Sequence, residues 1–181
     1  ADKVTSLGIS RTFQNIRLFK SLTVLENVMV GRHCRTKIGL AGTFFRLPFT
    51  KPAEELRIRQ VSEDLLDFVG LSDRKDDKAA NLPYGSQRRL EIARALAPDP
   101  VLLLLDEPAA GMDTQETDDL AELILKIRQQ GKTILLIEHD MRLVMGISDV
   151  VSVLNFGQKI AEGSPKEIQS SPKVIEAYLG S

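Results

Sequence analysis

Val101-Leu102-Leu103-Leu104-Leu105-Asp106-Glu107-Pro108 is a short aliphatic run that ends in two carboxylates and a proline. Bounded by Pro100 and Pro108, such a run reads as a strand covered on both faces, as strands of parallel sheets are. Thr133 to Ile137 has the same texture and predicts a second buried strand; Val150 to Leu154 predicts a third. Asp113 and Glu116 have capping-box spacing. They predict a helix to about Gln130, with Leu120, Leu123, Ile124 and Ile127 turned inward and Gly131 as its stop. Strands alternating with helices predict an α/β fold with a mainly parallel sheet.

Towards the N-terminus, Gly8 to Phe13 reads as extended, and Thr23 with Glu26 predicts a helix to about Cys34. Residues 38–50 are apolar and aromatic without clean periodicity. Pro52 suits a first helical position, and Ile58, Val61, Leu65 and Phe68 mark one face of a helix stopped by Gly70. A charged loop from Ser72 to Lys78 leads to Leu82-Pro83-Tyr84-Gly85-Ser86 and a helix from Gln87 to Ala97, with Ser86 as candidate cap. The chain thus divides into residues 1–19, a helical insertion over 20–95, and a core over 96–181. Towards the C-terminus, Asn155-Phe156-Gly157-Gln158 predicts a hairpin turn into Lys159 to Glu162. Ser164-Pro165 and Ser171-Pro172 start two further helices.

Composition narrows the partners. The 181 residues carry 24 basic and 25 acidic side chains, a net charge of −1, with 43% hydrophobic and 27% charged residues. That excludes a disordered tail and a disulfide-stapled module, and predicts one domain with at most a small subdomain. Near-neutrality argues against a nucleic-acid backbone as partner, since neutralising phosphates demands a basic excess. The one cysteine, Cys34, makes no internal disulfide and suits a reducing compartment. No apolar run approaches the ~20 residues that span a bilayer.

Chemistry gathers where strands end, because ligands of parallel sheets bind at the carboxyl edge. Asp106 there offers a hard oxygen donor for Mg²⁺. Glu107, one residue on, points to the other side and can orient or deprotonate a water. Leu82 to Arg89 places a glycine turn at a helix start, where amides and the helix dipole attract phosphate. Ile137-Glu138-His139-Asp140 ends another strand and offers an imidazole; Gln14 follows the first strand with an amide that reaches metal or water. Singly, each has an ordinary reading: a helix cap, a helix start, a satisfied loop histidine, a loop amide. Gly131-Lys132-Thr133 imitates the end of the phosphate-binding loop G-x-x-x-x-G-K-S/T, but position 126 is Lys126 and a helix precedes. The loop occurs nowhere in these residues.

Taken together, in this order and spacing, the motifs resemble the ATP-binding cassette of ABC transporters over essentially the whole chain. Thr12-Phe13-Gln14 resembles the glutamine loop, and Leu82 to Gln87 the signature that usually reads L-S-G-G-Q. Leu102 to Glu107 resembles Walker B, Gly111-Met112-Asp113 the D-loop, and His139 the switch histidine. Arg11 to Phe19, Arg88-Arg-Leu-Glu-Ile-Ala-Arg94, Asp106-Glu-Pro-Ala-Ala-Gly111, Ile137-Glu-His-Asp-Met141 and Ile175-Glu-Ala-Tyr-Leu-Gly180 are similar to the ATPase subunits of branched-chain amino acid importers. Two departures stand out. The family's phosphate-binding segment is expected upstream of residue 1, and Pro83 and Ser86 replace the signature's usual Ser and Gln.

The resemblance implies a P-loop NTPase-like sheet with an inserted helical subdomain, and an ATPase that uses ATP and Mg²⁺. It implies Glu107, His139 and Gln14 as catalytic, with Asp106 and Gln14 at the metal. Tyr84, Gly85, Ser86, Gln87, Gly111 and Asp113 are implied at the nucleotide. Two cassettes, identical or not, meet head to tail on the cytoplasmic face of the membrane, beside permease subunits and, indirectly, a substrate-binding protein. The resemblance implies no nucleic-acid partner. Phe44, Phe45 and Phe49 are candidates for a docking patch or for subdomain core. The alternatives are a cassette fragment without nucleotide chemistry and a soluble ATPase of the same type in translation or repair. These 181 residues alone are expected to bind ATP negligibly.

Overall fold

Three parallel strands in the order β1-β2-β3 carry the carboxyl edge that the sequence points to. The computed structural model describes residues 2–32 and 51–179. β1 (Ile9–Arg11) lies beside β2 (Leu102–Asp106), and β2 beside β3 (Thr133–Ile137). The register sets Arg11 against Leu104 and Asp106 against Ile137. Residues 12–14, 106–107 and 138–139 therefore leave the sheet at the same edge.

Burial of the strands differs from expectation. Leu103 and Leu105 are enclosed, while Leu102 and Leu104 are half-buried, so β2 is fully covered on one face only. In β3, Leu135 and Ile137 are exposed, and among the described residues this is an outer strand. β4 (Val151–Asn155) is not part of the parallel sheet: it pairs antiparallel with β5 (Gln158–Gly163) in a separate two-stranded sheet. The reason is visible in its alternation, with Val151 and Val153 buried and Ser152 and Leu154 exposed. That is the pattern of a strand with one wet face. The turn predicted between them forms with Phe156 at φ 46° and Gly157 at φ 78°, the paired left-handed geometry that matches strand twist in a tight hairpin.

Helices fill the path from β1 to β2. A short α1 (Asp2–Ser6), which no sequence signal predicts, precedes β1. α2 (Val24–Arg32) starts from the expected capping box: the Thr23 amide donates to Glu26 Oε2 at 2.6 Å and the Glu26 amide to Thr23 Oγ1 at 3.1 Å. α3 (Lys51–Phe68) encloses the predicted Ile58 together with Ser62, Leu66 and, just beyond its end, Val69, while Leu65 and Phe68 of the predicted face pack half-buried against the core and Val61 is half-buried. A buried serine is tolerated there because its hydroxyl donates to the Ile58 carbonyl at 2.7 Å. Gly70, at φ 73°, ends the helix as expected. α4 (Tyr84–Leu96) starts three residues earlier than the sequence predicts, so Ser86 lies inside the first turn and Pro83 is the cap residue. Cys34 and residues 38–50, with the three phenylalanines, lie outside the described residues.

α2 and α4 cross closely. A Cβ on Gly31 would meet the Arg94 carbonyl oxygen at 2.4 Å, so only glycine allows this approach. The crossing joins Val24, Val28, Leu90 and Ile92 to Leu103 and Leu105 of the sheet and to Leu120 and Ile127 of α5 (Thr114–Gln129) in one core. Enclosing each such side chain contributes ~1.5–3 kcal/mol. α5 is capped by Asp113 and Glu116 and stopped at Gly131, φ 79°, as predicted. α6 (Met141–Ile147) follows β3, and α7 (Pro165–Gln169) and α8 (Pro172–Leu179) pack with the hairpin around a smaller cluster of Val151, Val153, Ile168 and Val174. No described helix is long and apolar enough to cross a membrane.

Candidate functional site

Glu107 is the first residue past β2, and its backbone turns sharply, at φ 43°. Its amide still donates to the Ile137 carbonyl at 2.8 Å, which holds the turn against β3. The side chain points back across the edge: Oε2 accepts from Gln14 Nε2 at 2.8 Å, and Oε1 lies 3.9 Å from His139 Nδ1. The first contact is a hydrogen bond; the second is too long for one and leaves the imidazole, 72% exposed, free to face a ligand. One carboxylate thus stands between an amide from the first strand's end and an imidazole from the third's. A water held by that carboxylate has a base on one side and polar orienting groups on the other.

Asp106 serves a different neighbour. Its Oδ2 accepts from Arg11 Nη2 at 2.7 Å, in a pair whose arginine is half exposed. Asp106 and the oxygen of the Gln14 amide are donors of the hardness Mg²⁺ prefers, so the residues present fit that ion. Among the described residues no group of three or more His, Cys, Asp or Glu side chains forms a metal cage. Mg²⁺ does not require one, since it keeps waters and shares phosphate oxygens.

The turn before α4 lies in another part of the site. The Gln87 amide makes the first helical hydrogen bond, to the Pro83 carbonyl at 2.9 Å, which leaves the amides of residues 84–86 outside the helical ladder. Tyr84 reaches back through its hydroxyl to the Ala110 carbonyl at 2.8 Å. Gln87 turns its side chain onto the Leu82 carbonyl at 2.8 Å, so it closes the turn. Gly85 is buried, and a Cβ there would meet Glu116 Oε1 at 2.6 Å. Gly111, at φ 80°, packs beside the Tyr84 ring, and the Asp113 carboxylate accepts from the Glu116 amide at 2.8 Å. The structure therefore brings Gln14, Asp106, Glu107 and His139 to one edge. Tyr84 is tied to the loop that follows them, and the side chains of Gln87 and Asp113 serve local caps.

Sequence reasoning passed over four charged residues here. Arg11 occupies Asp106. Glu138, with a side chain 1% exposed, accepts from the Ala109 amide at 2.8 Å and the His139 amide at 3.1 Å, joining the loops after β2 and β3. Arg88 and Glu91 form an enclosed pair on α4, at 0% and 1% side-chain exposure. The available signal was two opposite charges three residues apart among Leu90, Ile92 and Ala93, on a face otherwise apolar. Gly131-Lys132-Thr133 is structural as expected: Gly131 ends α5, and Lys132 pairs with Asp99.

Comparison with known proteins places these observations. A family model described as ABC transporter matches residues 2–110, and one described as branched-chain amino acid ATP-binding cassette transporter matches residues 158–181. The chain is 46% identical over 179 residues to the high-affinity branched-chain amino acid transport ATP-binding protein LivG of Salmonella typhimurium. It is 45% identical over 179 residues to the corresponding protein BraF of Pseudomonas aeruginosa. Each alignment covers 98% of this chain and 70% of the relative. A crystal structure of an ATP-binding cassette of an ABC transporter in its ADP conformation is similar with a TM-score of 0.79 at 35% identity, over 99% of this chain and 71% of that one. A nucleotide-free cassette from an ABC transporter gives 0.79 at 34% identity, over 99% and 72%.

Proposed function

Because the chain belongs to the ATP-binding cassette family of transporter ATPases, we propose that it is the ATP-hydrolysing part of an importer subunit for branched-chain amino acids. The observation that carries this reading is the Glu107 carboxylate set between Gln14 and His139 at the sheet's carboxyl edge. In it, Glu107 takes the proton of the attacking water, and His139 contacts the oxygens of the phosphate being transferred. Gln14 orients the water; Gln14 and Asp106 would hold Mg²⁺, which would neutralise phosphate charge when bound. Asp106, here paired with Arg11, would be one of the residues that hold the ion.

The transported class rests on the relatives' names and on the branched-chain model over residues 158–181. The two readings of a fragment without nucleotide chemistry and of an ATPase of translation or repair draw no support from relatives with transport names. In the proposed assembly two cassettes meet head to tail, and the start of α4 faces the nucleotide held by the other. Tyr84, Gly85, Ser86, Gly111 and Asp113 then border the shared nucleotide, with backbone amides of residues 84–86 offered to phosphate. The insertion over residues 20–95 meets permease subunits at the cytoplasmic membrane surface, and a substrate-binding protein acts on their far side.

Uptake of labelled leucine, isoleucine and valine tests the reading in cells whose own copy of the gene is replaced by a Glu107→Gln allele. Loss of uptake of all three, with ATP still bound by the full-length protein, is the expected result. Normal uptake removes Glu107 from the reaction, and loss of an unrelated solute instead removes the amino-acid assignment.

A further inference from the structure

Arg88 is a full charge placed where no water reaches it, its side chain 0% exposed. Burying a guanidinium is costly unless its hydrogens find partners, and the partners it has are distinctive. Nη1 donates to the Phe13 carbonyl at 2.8 Å and to Glu91 Oε2 at 2.8 Å. Nη2 donates to the Gln14 carbonyl at 2.9 Å and to the Tyr84 hydroxyl at 3.3 Å. Nε is buried with no hydrogen-bond partner, so the group sits where its outer nitrogens reach two successive carbonyls rather than where it is fully satisfied. Glu91, 1% exposed, uses its other oxygen to accept from the Arg17 amide at 3.2 Å. The pair therefore grips the chain on both sides of Gln14.

These contacts close a ring. Gln14 donates to Glu107, the Ala110 amide donates to the Glu107 carbonyl at 3.2 Å, and Tyr84 donates to Ala110. Tyr84 in turn accepts from Arg88. Two steps are local, Ala110 to Glu107 and Arg88 to Tyr84; the others are long-range, so the ring joins the end of β1, the end of β2 and the start of α4.

We propose that Arg88 is a positioning residue: it sets the Gln14 amide against Glu107 and ties that contact to the start of α4. The inference rests on the proposed function, in which Glu107 serves one nucleotide and the start of α4 faces the other. A displacement of Tyr84 and Gly85 by the nucleotide of the partner cassette is then carried through a rigid planar cation to the carboxylate of this one. Lysine cannot replace it, since a single ammonium does not hold two carbonyls and a carboxylate in one plane.

The test compares three versions of the full-length protein: wild type, Arg88→Lys, and the paired Arg88→Met/Glu91→Leu, which removes both buried charges at similar volume. The paired variant is expected to fold, because apolar replacement of a buried pair is commonly tolerated. Its kcat is expected to fall by ~10- to 100-fold with KM for ATP changed little, the signature of misplacement rather than lost binding. Arg88→Lys should lose kcat in the same sense while keeping the charge opposite Glu91. A folded paired variant with wild-type kcat overturns the proposal, and if that variant does not fold, unchanged kcat in Arg88→Lys overturns it. Should the wild type itself hydrolyse no ATP, the functional reading fails and amide hydrogen exchange decides the positioning role. Faster exchange over residues 12–17 in the variants, with α4 unchanged, supports it; unchanged exchange there refutes it.

Discussion

The polar contacts at the carboxyl edge of the parallel sheet and those around the C-terminal hairpin are built on different principles. At the edge, partners come from far apart in the chain: Arg11 with Asp106, Gln14 with Glu107, Arg88 with the carbonyls of residues 13 and 14. Around the hairpin they are near neighbours: Lys159 and Ser152 with Glu162, Ser164 with Glu167, Ser170 with the carbonyls of 166 and 167. Contacts of the first kind exist only when the whole sheet and the helices of the insertion are assembled, so they report on tertiary geometry and can transmit it. Contacts of the second kind hold one hairpin or one cap and report on nothing beyond it. Chemistry that must respond to a distant event belongs with the first.

The contrast is broken most forcefully at Glu107. Glu107→Gln in the full-length protein should lower ATP hydrolysis by ~10²–10⁴-fold, the usual worth of a positioned general base. Its melting temperature should stay near wild type, because the amide still accepts from Gln14. A steady-state phosphate-release assay beside calorimetry checks both; retention of more than about half the rate removes the general-base role.

Gly31→Ala should do the reverse, acting through packing without touching the polar ring. The added methyl meets the Arg94 carbonyl, α2 and α4 must separate, and overpacking of this sort costs ~1–3 kcal/mol. Urea denaturation is the measurement, and an unchanged midpoint would show that the crossing has slack.

At the hairpin the expected effects are smaller and confined. Ser164→Ala removes the hydroxyl that accepts from the Glu167 amide at the start of α7, with a loss of about 1 kcal/mol and no change in ATP hydrolysis. A change in hydrolysis beyond the stability loss would mean that this region communicates with the edge after all.

Acidification gives the weakest of the four effects. Backbone and hydroxyl hydrogen bonds from Ser164 hold the Glu167 carboxyl below its ordinary value, and Ser152, then Lys159, do the same for Glu162. A carboxylate favoured in the folded chain contributes stability above its unfolded titration range and loses it as pH falls through the folded value. The melting-temperature difference between wild type and Glu167→Gln should therefore be present at neutral pH and vanish in acid. A difference that persists in acid would assign the effect to something other than ionisation.

The same contrast decides how much could be read without coordinates. Three helix caps, the stops at Gly70 and Gly131 and the turn at Phe156-Gly157 were legible because each is completed within a few residues. Asp106, Glu107, Gln14 and His139 were legible as strand-end residues, since three parallel strands deliver their next residues to one edge. The full enclosure of Ser62 on α3 was not, because a serine is accepted there through its back-bond to the Ile58 carbonyl. The position of β4 was not, because an aliphatic run signals burial but not which sheet provides it. The Arg88–Glu91 pair was not, because its meaning lies in carbonyls more than seventy residues away.

Residue 107 also carries a thermodynamic tension. A side chain at φ 43° occupies the left-handed region that disfavours all but glycine and a few small polar residues, at a cost of roughly 1–2 kcal/mol. Glycine there would relieve the backbone, offset in part by the ~0.4–1 kcal/mol of extra disorder it gives the unfolded chain. Mutants selected for heat tolerance alone should therefore drift towards losing the carboxylate, while selection for turnover opposes that drift. Endurance and catalysis pull this one position in opposite directions.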